Sequence, residues 1–465
     1  MHPLHTTISA VSTPRGKGGI ATIRISGSDA VRIAAQMFVP RSGKSLEDLP
    51  PRSAVFGSIL DSEGNVCDEG ICTVFKCPSS FTGEDMAEIS CHGGLAVTEA
   101  VYLSTLAHGA SSAGPGEFTR RAFINGKLSL TEAEAVGQLI DADTKERMIL
   151  SGGAVRGNVS RRITELYDGM LDTMTALYAA IDYPEEDVGD EGERQIGDTI
   201  RRTRDGVKKL LDTYKTGRAI SGGVKCAICG RPNVGKSSIF NLIVGDESAI
   251  VTSIAGTTRD ILRETVSFGG ITLRLSDTAG IRSSDDTVEK MGIDRAEDEI
   301  RGAELIIAVF DGSERLTDED RRIISLLSEA ESASAKIAVL NKSDKGCALT
   351  ADEEAEIASS ADRLIVMSAE GGDIGALASA VAEAYGSDGV NLSSDAVIWD
   401  ARQREMLGHA LTSLNAALDG LEYGDPIDCI CTSAEEALAA LSETDGRGVD
   451  EVIVDEIFKR FCVGK

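Results

Sequence analysis

The segment Gly230-Arg-Pro-Asn-Val-Gly-Lys-Ser237 sets two glycines, a lysine and a hydroxyl at the spacing G-x-x-x-x-G-K-[ST]. Glycines there let the backbone wrap phosphate with its N–H groups. Lys236 can meet β and γ oxygens, and the Ser237 hydroxyl can bind Mg²⁺. The loop follows the strand-like VKCAIC and precedes the helix-like SSIFNLIVG, the context this chemistry needs.

Four further motifs follow in chain order. Gly256-Thr-Thr-Arg-Asp260 offers Thr258 as a switch hydroxyl that reaches Mg²⁺ when a γ-phosphate is present. Asp277-Thr-Ala-Gly280 follows the alternating ITLRLS; Asp277 can orient the water shell of the metal and the Gly280 amide can sense the γ-phosphate. Asn341-Lys-Ser-Asp344 follows IAVL, and its Asp344 has two acceptor oxygens for the N1–H and 2-amino donors of guanine, a pair that adenine lacks. Ser368-Ala369 after LIVM can turn a backbone N–H toward the guanine carbonyl. Together the five motifs imply GTP binding.

Hydrolysis poses a separate problem, because Ile281 stands where Ras-like GTPases carry a water-orienting glutamine. No cis arginine is evident to neutralise transition-state charge. Glu289, twelve residues beyond Asp277 in SSDDTVEK, can orient water or be a solvated helix-start carboxylate.

The elements that must hold these loops read from pattern. Val224 to about Tyr385 alternates short apolar strands with amphipathic stretches, as in a parallel sheet wrapped by helices. Before it, 1–120 is punctuated by Gly and Pro around β-rich runs such as IATIRI, and 121–218 is rich in Ala, Glu and Arg at helical spacing. After it, helical patterning returns over 385–465. The expected fold class is multidomain α+β and α/β: an N-terminal α+β domain (1–120), a discontinuous all-α domain (121–218 and 385–465) and an inserted Ras-like P-loop G domain (219–384).

Composition bounds the setting. The 465 residues carry 47 Lys and Arg against 75 Asp and Glu, a net charge of −28, so contact with nucleic acid must be local. The richest basic stretch, Arg201–Arg218, reads more simply as a solvated helix face than as a binding site. Ten scattered cysteines and a start without a secretory pattern point to the reducing cytoplasm. No apolar run approaches the roughly 18 residues of a membrane span. Cys226-Ala-Ile-Cys229 has C-x-x-C spacing, but residues three apart on a strand face opposite sides, which argues against zinc.

GRPNVGKSS, IAGTTRD, DTAGIR and NKSD, together with SFTGEDMAEISCHGG, PGEFTRRAFINGKLSLTEAEAVGQLIDA and the terminal Phe461-Cys-Val-Gly-Lys465, closely resemble the MnmE (TrmE) family of tRNA modification GTPases. The resemblance spans essentially the whole chain and implies an N-terminal folate-binding and dimerisation domain. For GTP it implies contacts from Asn233, Val234, Gly235, Lys236, Ser237, Ser238, Thr252, Ser253, Ile254, Ala255, Gly256, Thr257, Thr258, Asp277, Thr278, Ala279, Gly280, Asn341, Lys342, Asp344, Ser368, Ala369 and Glu370. It implies a K⁺ ion held by Asn233, Thr252, Ile254 and Thr257, with Mg²⁺ on Ser237 and Thr258. K⁺ at the phosphates would supply the charge that an arginine finger gives elsewhere. Glu289 falls at the position of the family's water-orienting glutamate, hence a catalytic expectation there.

The same resemblance maps a folate site onto Arg24, Glu88, Lys127 and Lys465, for a 5,10-methylene or 5-formyl tetrahydrofolate. A carboxylate suits the adjacent N–H donors of a pterin, and Arg or Lys suits the tail carboxylates. Cys462 reads as an inert thiol or as a redox group, and His92 as a pocket or a turn-capping residue. The implied activity is K⁺-dependent GTP hydrolysis coupled to C5 aminomethylation or carboxymethylaminomethylation of wobble uridine in tRNA. The implied assembly is a homodimer joined to the FAD-containing MnmG in a heterotetramer. The alternatives are a ribosome-assembly GTPase switch and a stand-alone folate-dependent aminomethyltransferase with a regulatory G domain.

Overall fold

Along the strand Ile20–Ser26 successive side chains turn to opposite faces: Ala21, Ile23 and Ile25 are buried while Thr22 and Arg24 stand half-exposed on the other face. The computed structural model describes residues 6–182, 189–245, 263–276, 300–330, 333–387, 389–449 and 451–464. Its contacts group into two compact units, 1–137 with 445–465, and 138–444.

The first unit is built on strands β1 (Ile8–Val11), β2 (Ile20–Ser26), β3 (Phe38–Pro40), β4 (Ser53–Leu60), β5 (Val66–Phe75), β6 (Met86–His92) and β7 (Ser111–Ser112). They form one sheet in the order β3-β4-β5-β6-β2-β1-β7, antiparallel except for β1 with β7. Helices Ala30–Met37 and Leu95–Ala107 contribute to the core on one face, with Ile23, Ile25, Ile33, Met37, Phe38 and Ile89 fully or almost fully buried. The other face carries the cross-strand rows Arg24, Glu88, Thr73 and Thr22, Ser90, Ile71, Phe56.

The end of the chain returns to this unit. Helix Glu451–Phe458 packs Phe458 near Phe123 and Phe461, with ring centroids 6.3 and 5.3 Å apart, and Asp455 accepts from the buried Arg120 at 2.8 Å. Val463 then bridges to Pro115, and the Ser12 hydroxyl donates to the Gly464 carbonyl at 3.1 Å. The tail therefore packs with the N-terminal sheet, anchored by aromatic contacts that helical periodicity does not announce.

The second unit holds strands β8 (Val224–Cys229), β9 (Arg263–Phe268), β10 (Ile271–Ser276), β11 (Leu305–Asp311), β12 (Ala335–Asn341) and β13 (Arg363–Val366) in the order β13-β12-β11-β8-β10-β9. All pair in parallel except the edge strand β9. Central β11 is buried at every position, as a strand covered on both faces must be. Cys226 and Ile228 enter one core and Ala227 and Cys229 the other, so the two thiols lie on opposite faces of the sheet and share no ligand position. Burial raises the Cys226 thiol far above its ordinary range. Long helices Asn158–Asp182, Gly189–Asp212, Ala401–Tyr423 and Ile427–Thr444 make the all-α part, and helix Tyr214–Ser221 leads from it into β8. All ten cysteines are free thiols. Among the described residues no helix is long and apolar enough to cross a membrane.

Candidate functional site

The loop after β8 sits at the carboxyl end of a central parallel strand, where doubly wound sheets bind ligands. Its turn needs unusual backbone: Gly235 has φ +104°, and a Cβ there would lie 2.1 Å from the Asn341 amide nitrogen. Only glycine fits that position. Asn233 takes φ +63° with a side chain, the left-handed conformation that asparagine tolerates better than most residues. Its amide is exposed at the loop, as is the Ser237 hydroxyl in the first turn of helix Lys236–Gly245.

Lys236 folds over the loop and donates to the carbonyls of Gly230 at 2.8 Å and Arg231 at 2.7 Å. Burial lowers its pKa from the ordinary lysine value. The ammonium thus lies on the loop that must wrap phosphate, where anionic oxygens would favour its charged form.

Asn341, the last residue of β12 and 3% exposed, fastens two loops at once. Its amide nitrogen donates to the Val234 carbonyl at 2.8 Å, and its amide oxygen accepts from the Ala369 backbone N–H at 2.8 Å. The phosphate loop and the Ser368-Ala369-Glu370 loop are held by one side chain. Lys342 follows with φ +65° and reaches Asp311 at 2.6 Å. The exposed Asp344 carboxylate accepts from the Ser368 hydroxyl, and that bond is the main cause of its lowered pKa. Asp344 is therefore ionised at neutral pH, with its acceptor oxygens beside the loop meant for guanine.

Asp311 and Arg231 lie among the nucleotide loops, where motif reasoning did not single them out. Asp311 ends the all-apolar strand β11 with its side chain 2% exposed, and accepts from Lys342 Nζ and from the Ser313 hydroxyl at 2.6 Å. Desolvation opposes its charge, yet these donors together lower its pKa. Arg231 of the phosphate loop pairs with Asp320 at 3.2 Å and Glu314 at 2.5 Å, and approaches Asp311 at 3.9 Å. A lone carboxylate at the carboxyl end of a buried parallel strand was the available signal.

Thr252, Ser253, Ile254, Ala255, Gly256, Thr257, Thr258, Asp277, Thr278, Ala279, Gly280, Glu289 and Lys465 lie outside the described residues. Among the described residues no group of three or more His, Cys, Asp or Glu side chains is placed to hold a metal ion.

In the first unit Arg24 and Glu88 are register partners on β2 and β6 and form an ion pair at 2.8 Å. The Arg24 guanidinium lies 5.5 Å from the Phe81 ring centre and 5.6 Å from that of Phe118. Lys127 donates to the Pro78 carbonyl at 3.0 Å. Behind them Arg121, 1% exposed, binds Glu84 and Glu117 at 3.0 Å each, and Glu117 accepts from the Gly114 N–H that opens the turn beneath the tail. His92 is an exposed strand residue hydrogen-bonded through Nδ1 to Asp68 at 2.8 Å, and is not a turn cap.

A central parallel sheet with a glycine-bent phosphate loop, a β12 asparagine tying that loop to a guanine-side loop and an ionised Asp344 defines a P-loop guanine-nucleotide-binding protein. Two family profiles match: "GTP-binding protein TrmE N-terminus" over residues 7–127 and "MnmE helical domain" over 130–462. A tRNA modification GTPase MnmE of Ligilactobacillus salivarius is 38% identical over 99% of this chain and 98% of its own, and one of Geobacillus kaustophilus 37% over 99% of both. The chain belongs to the MnmE family of tRNA modification GTPases and is a GTP hydrolase. A GTP-binding protein of Sulfolobus solfataricus, solved with GDP, is 16% identical with a TM-score of 0.25, over 48% of this chain and 67% of that one.

Proposed function

We propose that this chain is a K⁺- and Mg²⁺-dependent GTPase that modifies C5 of the wobble uridine of certain tRNAs, using a one-carbon unit from a tetrahydrofolate and an FAD-containing partner of the MnmG type. The observation that carries the reading is the joining, in one chain, of the guanine-nucleotide site to the Arg24–Glu88 pair between Phe81 and Phe118. A pterin offers adjacent N–H donors to a carboxylate and a flat face to an aromatic ring, so Glu88 and Phe81 suit its head and Arg24 or Lys127 its acidic tail.

The residues present also suit the ions. Asn233 presents an exposed amide at the phosphate loop, as a K⁺ ligand would, and Ser237 an exposed hydroxyl beside Lys236, as a Mg²⁺ ligand would. A monovalent cation there would supply positive charge at the phosphates. Asn233 and the Gly230–Ser237 backbone would hold and orient the nucleotide, while Glu289 is the proposed water-orienting group. GTP hydrolysis would gate the tRNA chemistry by conformational change.

Homodimerisation through the first unit is supported by its uncovered apolar side chains. Val39, Phe56 and Ile71 stand 53%, 45% and 46% exposed on β3, β4 and β5, with Phe56 directly opposite Ile71. A cytoplasmic setting fits ten free thiols.

The test is the GTP hydrolysis rate in K⁺ against Na⁺ at equal ionic strength, with Asn233→Ala as control. Strong K⁺ activation that the variant loses supports the reading. Equal rates in both salts remove the K⁺ site and leave the catalytic charge to another group.

A further inference from the structure

The nucleotide loops occupy the carboxyl ends of the strands in the second unit. At the opposite ends, where Val224 opens β8 and Glu304 and Ser334 precede β11 and β12, lies a cleft of about 370 Å³ walled by helix Tyr214–Ser221 and by Arg404. Its floor is fixed: Arg218 pairs with Glu304 at 2.8 Å, and the buried Tyr385 hydroxyl donates to the Glu304 carbonyl at 3.1 Å.

Two other cations are placed differently. The Lys215 ammonium sits 5.2 Å from the Tyr385 ring centre and the Arg404 guanidinium 5.0 Å from that of Tyr214. Among the described residues neither has an ion-pair partner, although Asp212 also lines the cleft. A ring holds a cation in place without cancelling its charge, whereas a carboxylate neutralises it. Upstream on the same basic stretch, Arg201 and Arg204 are matched with Asp198 and Asp205. Lys208 stands one turn before Leu211 and Asp212 of the lining, exposed and likewise without an ion pair among the described residues. The stretch that reads as a solvated face thus mixes paired positions, Arg201, Arg204 and Arg218, with Lys208 and Lys215, whose charge meets no ion-pair partner among the described residues.

On a chain of net charge −28, a polyanion is repelled over most of the surface and must be met at such a place. Phosphate oxygens match both the arginine fork and the lysine point charge. We propose that this cleft seats backbone phosphates of the RNA substrate, with Lys215 and Arg404 as phosphate contacts and Lys208 extending the track. The inference rests on the reading that the chain acts on tRNA, and it places RNA at the end of the sheet away from GTP.

The test titrates full-length protein with unmodified tRNA transcript between 50 and 200 mM salt, for wild type, Lys215→Ala/Arg404→Ala and Arg404→Lys. Two lost phosphate contacts should lower the slope of log affinity on log salt by roughly 1.4–1.8 and weaken cognate and non-cognate tRNA alike. Arg404→Lys should keep most of the slope. GTP hydrolysis without RNA should be unchanged in the double variant, which certifies its fold; if that variant does not fold, the slope comparison passes to Lys215→Gln alone, with an expected loss of about 0.7–0.9. A variant slope equal to wild type overturns the cleft assignment alone. Wild-type protein that binds no tRNA, alone or with its FAD-containing partner, overturns the tRNA reading and the cleft with it. Inorganic tripolyphosphate that protects Lys215 from acylation at matched ionic strength, while tRNA affinity stays unchanged, assigns the cleft to a free anion and overturns the RNA proposal.

Discussion

Asp311 and Asn341 are register partners at the carboxyl ends of β11 and β12, and between them they touch every described nucleotide loop. Asn341 reaches the phosphate loop at Val234 and the guanine-side loop at Ala369, while Asp311 holds Lys342 and faces Arg231. Parallel pairing brings the two side chains level, so the sheet ends set the loops, and the Asp344–Ser368 hydrogen bond adds a direct link between the two guanine-side loops.

Asn341→Ala removes both fastenings and leaves the Val234 carbonyl and Ala369 N–H without that partner. At about 1–3 kcal/mol for unmade buried hydrogen bonds, GDP affinity should fall roughly ten- to a hundredfold. Titration with a fluorescent GDP analogue measures it. A change below twofold would show that the loops hold their positions without Asn341.

Asp311→Asn keeps the shape and removes the charge that Lys342 faces. KM for GTP should rise several-fold with a smaller change in kcat, because Asp311 acts through Lys342 and not on the phosphates. The pH signature follows from the lowered pKa of Asp311. The stabilisation by its carboxylate is fully present above the unfolded value near 3.9 and is lost as pH falls through the lower folded value. The gap in melting temperature between wild type and Asp311→Asn should therefore be constant from pH 7 to about 5 and close only below about pH 4. A gap that closes near pH 6 would assign the effect to another group.

The legible part of this architecture was what chemistry forces into short motifs. GRPNVGKS, NKSD and SAE sit after β8, β12 and β13 because phosphate and guanine must meet backbone and side chains at strand ends. Arg24 and Glu88 are 64 residues apart, and only antiparallel β2–β6 pairing makes them partners, so resemblance named them where spacing could not. Asp311 and Arg231 were hidden for a similar reason: a single charge after LIIAVF gives no hint that the loops after the two neighbouring strands bring Arg231 and Lys342 to it. The return of the tail to the first unit depends on Phe123, Phe458 and Phe461 meeting from distant positions, a long-range contact without local periodicity.

Arg24→Ala removes the partner of Glu88 and the cation between two rings. Calorimetric titration with 5-formyl-tetrahydrofolate should show affinity reduced at least tenfold, about 1.4 kcal/mol, with basal GTP hydrolysis intact. Arg24→Lys should recover only part of the loss, since an ammonium lacks the planar fork. Full folate affinity in Arg24→Ala would move the ligand elsewhere in the first unit.

Gly116 tests whether the tail is held by packing. It adopts φ +62°, and an added Cβ would lie 2.6 Å from the Phe458 carbonyl oxygen and 2.9 Å from the Phe461 Cβ. Its N–H also donates to the Cys462 carbonyl at 3.3 Å. Gly116→Ala combines left-handed strain with a backbone clash, so it should cost about 1–3 kcal/mol in the first unit. Relief by undocking the tail should speed amide exchange in 459–464 and leave the β8–β12 core protected. Folate affinity should fall with it, because the docked tail meets the Pro115–Gly116 turn just ahead of Phe118, one wall of the Arg24 site. Unchanged exchange at the tail together with normal folate binding would mean that the turn absorbs the methyl group and that the tail is fixed by its other anchors, the Arg120–Asp455 pair and the Phe123–Phe458 contact.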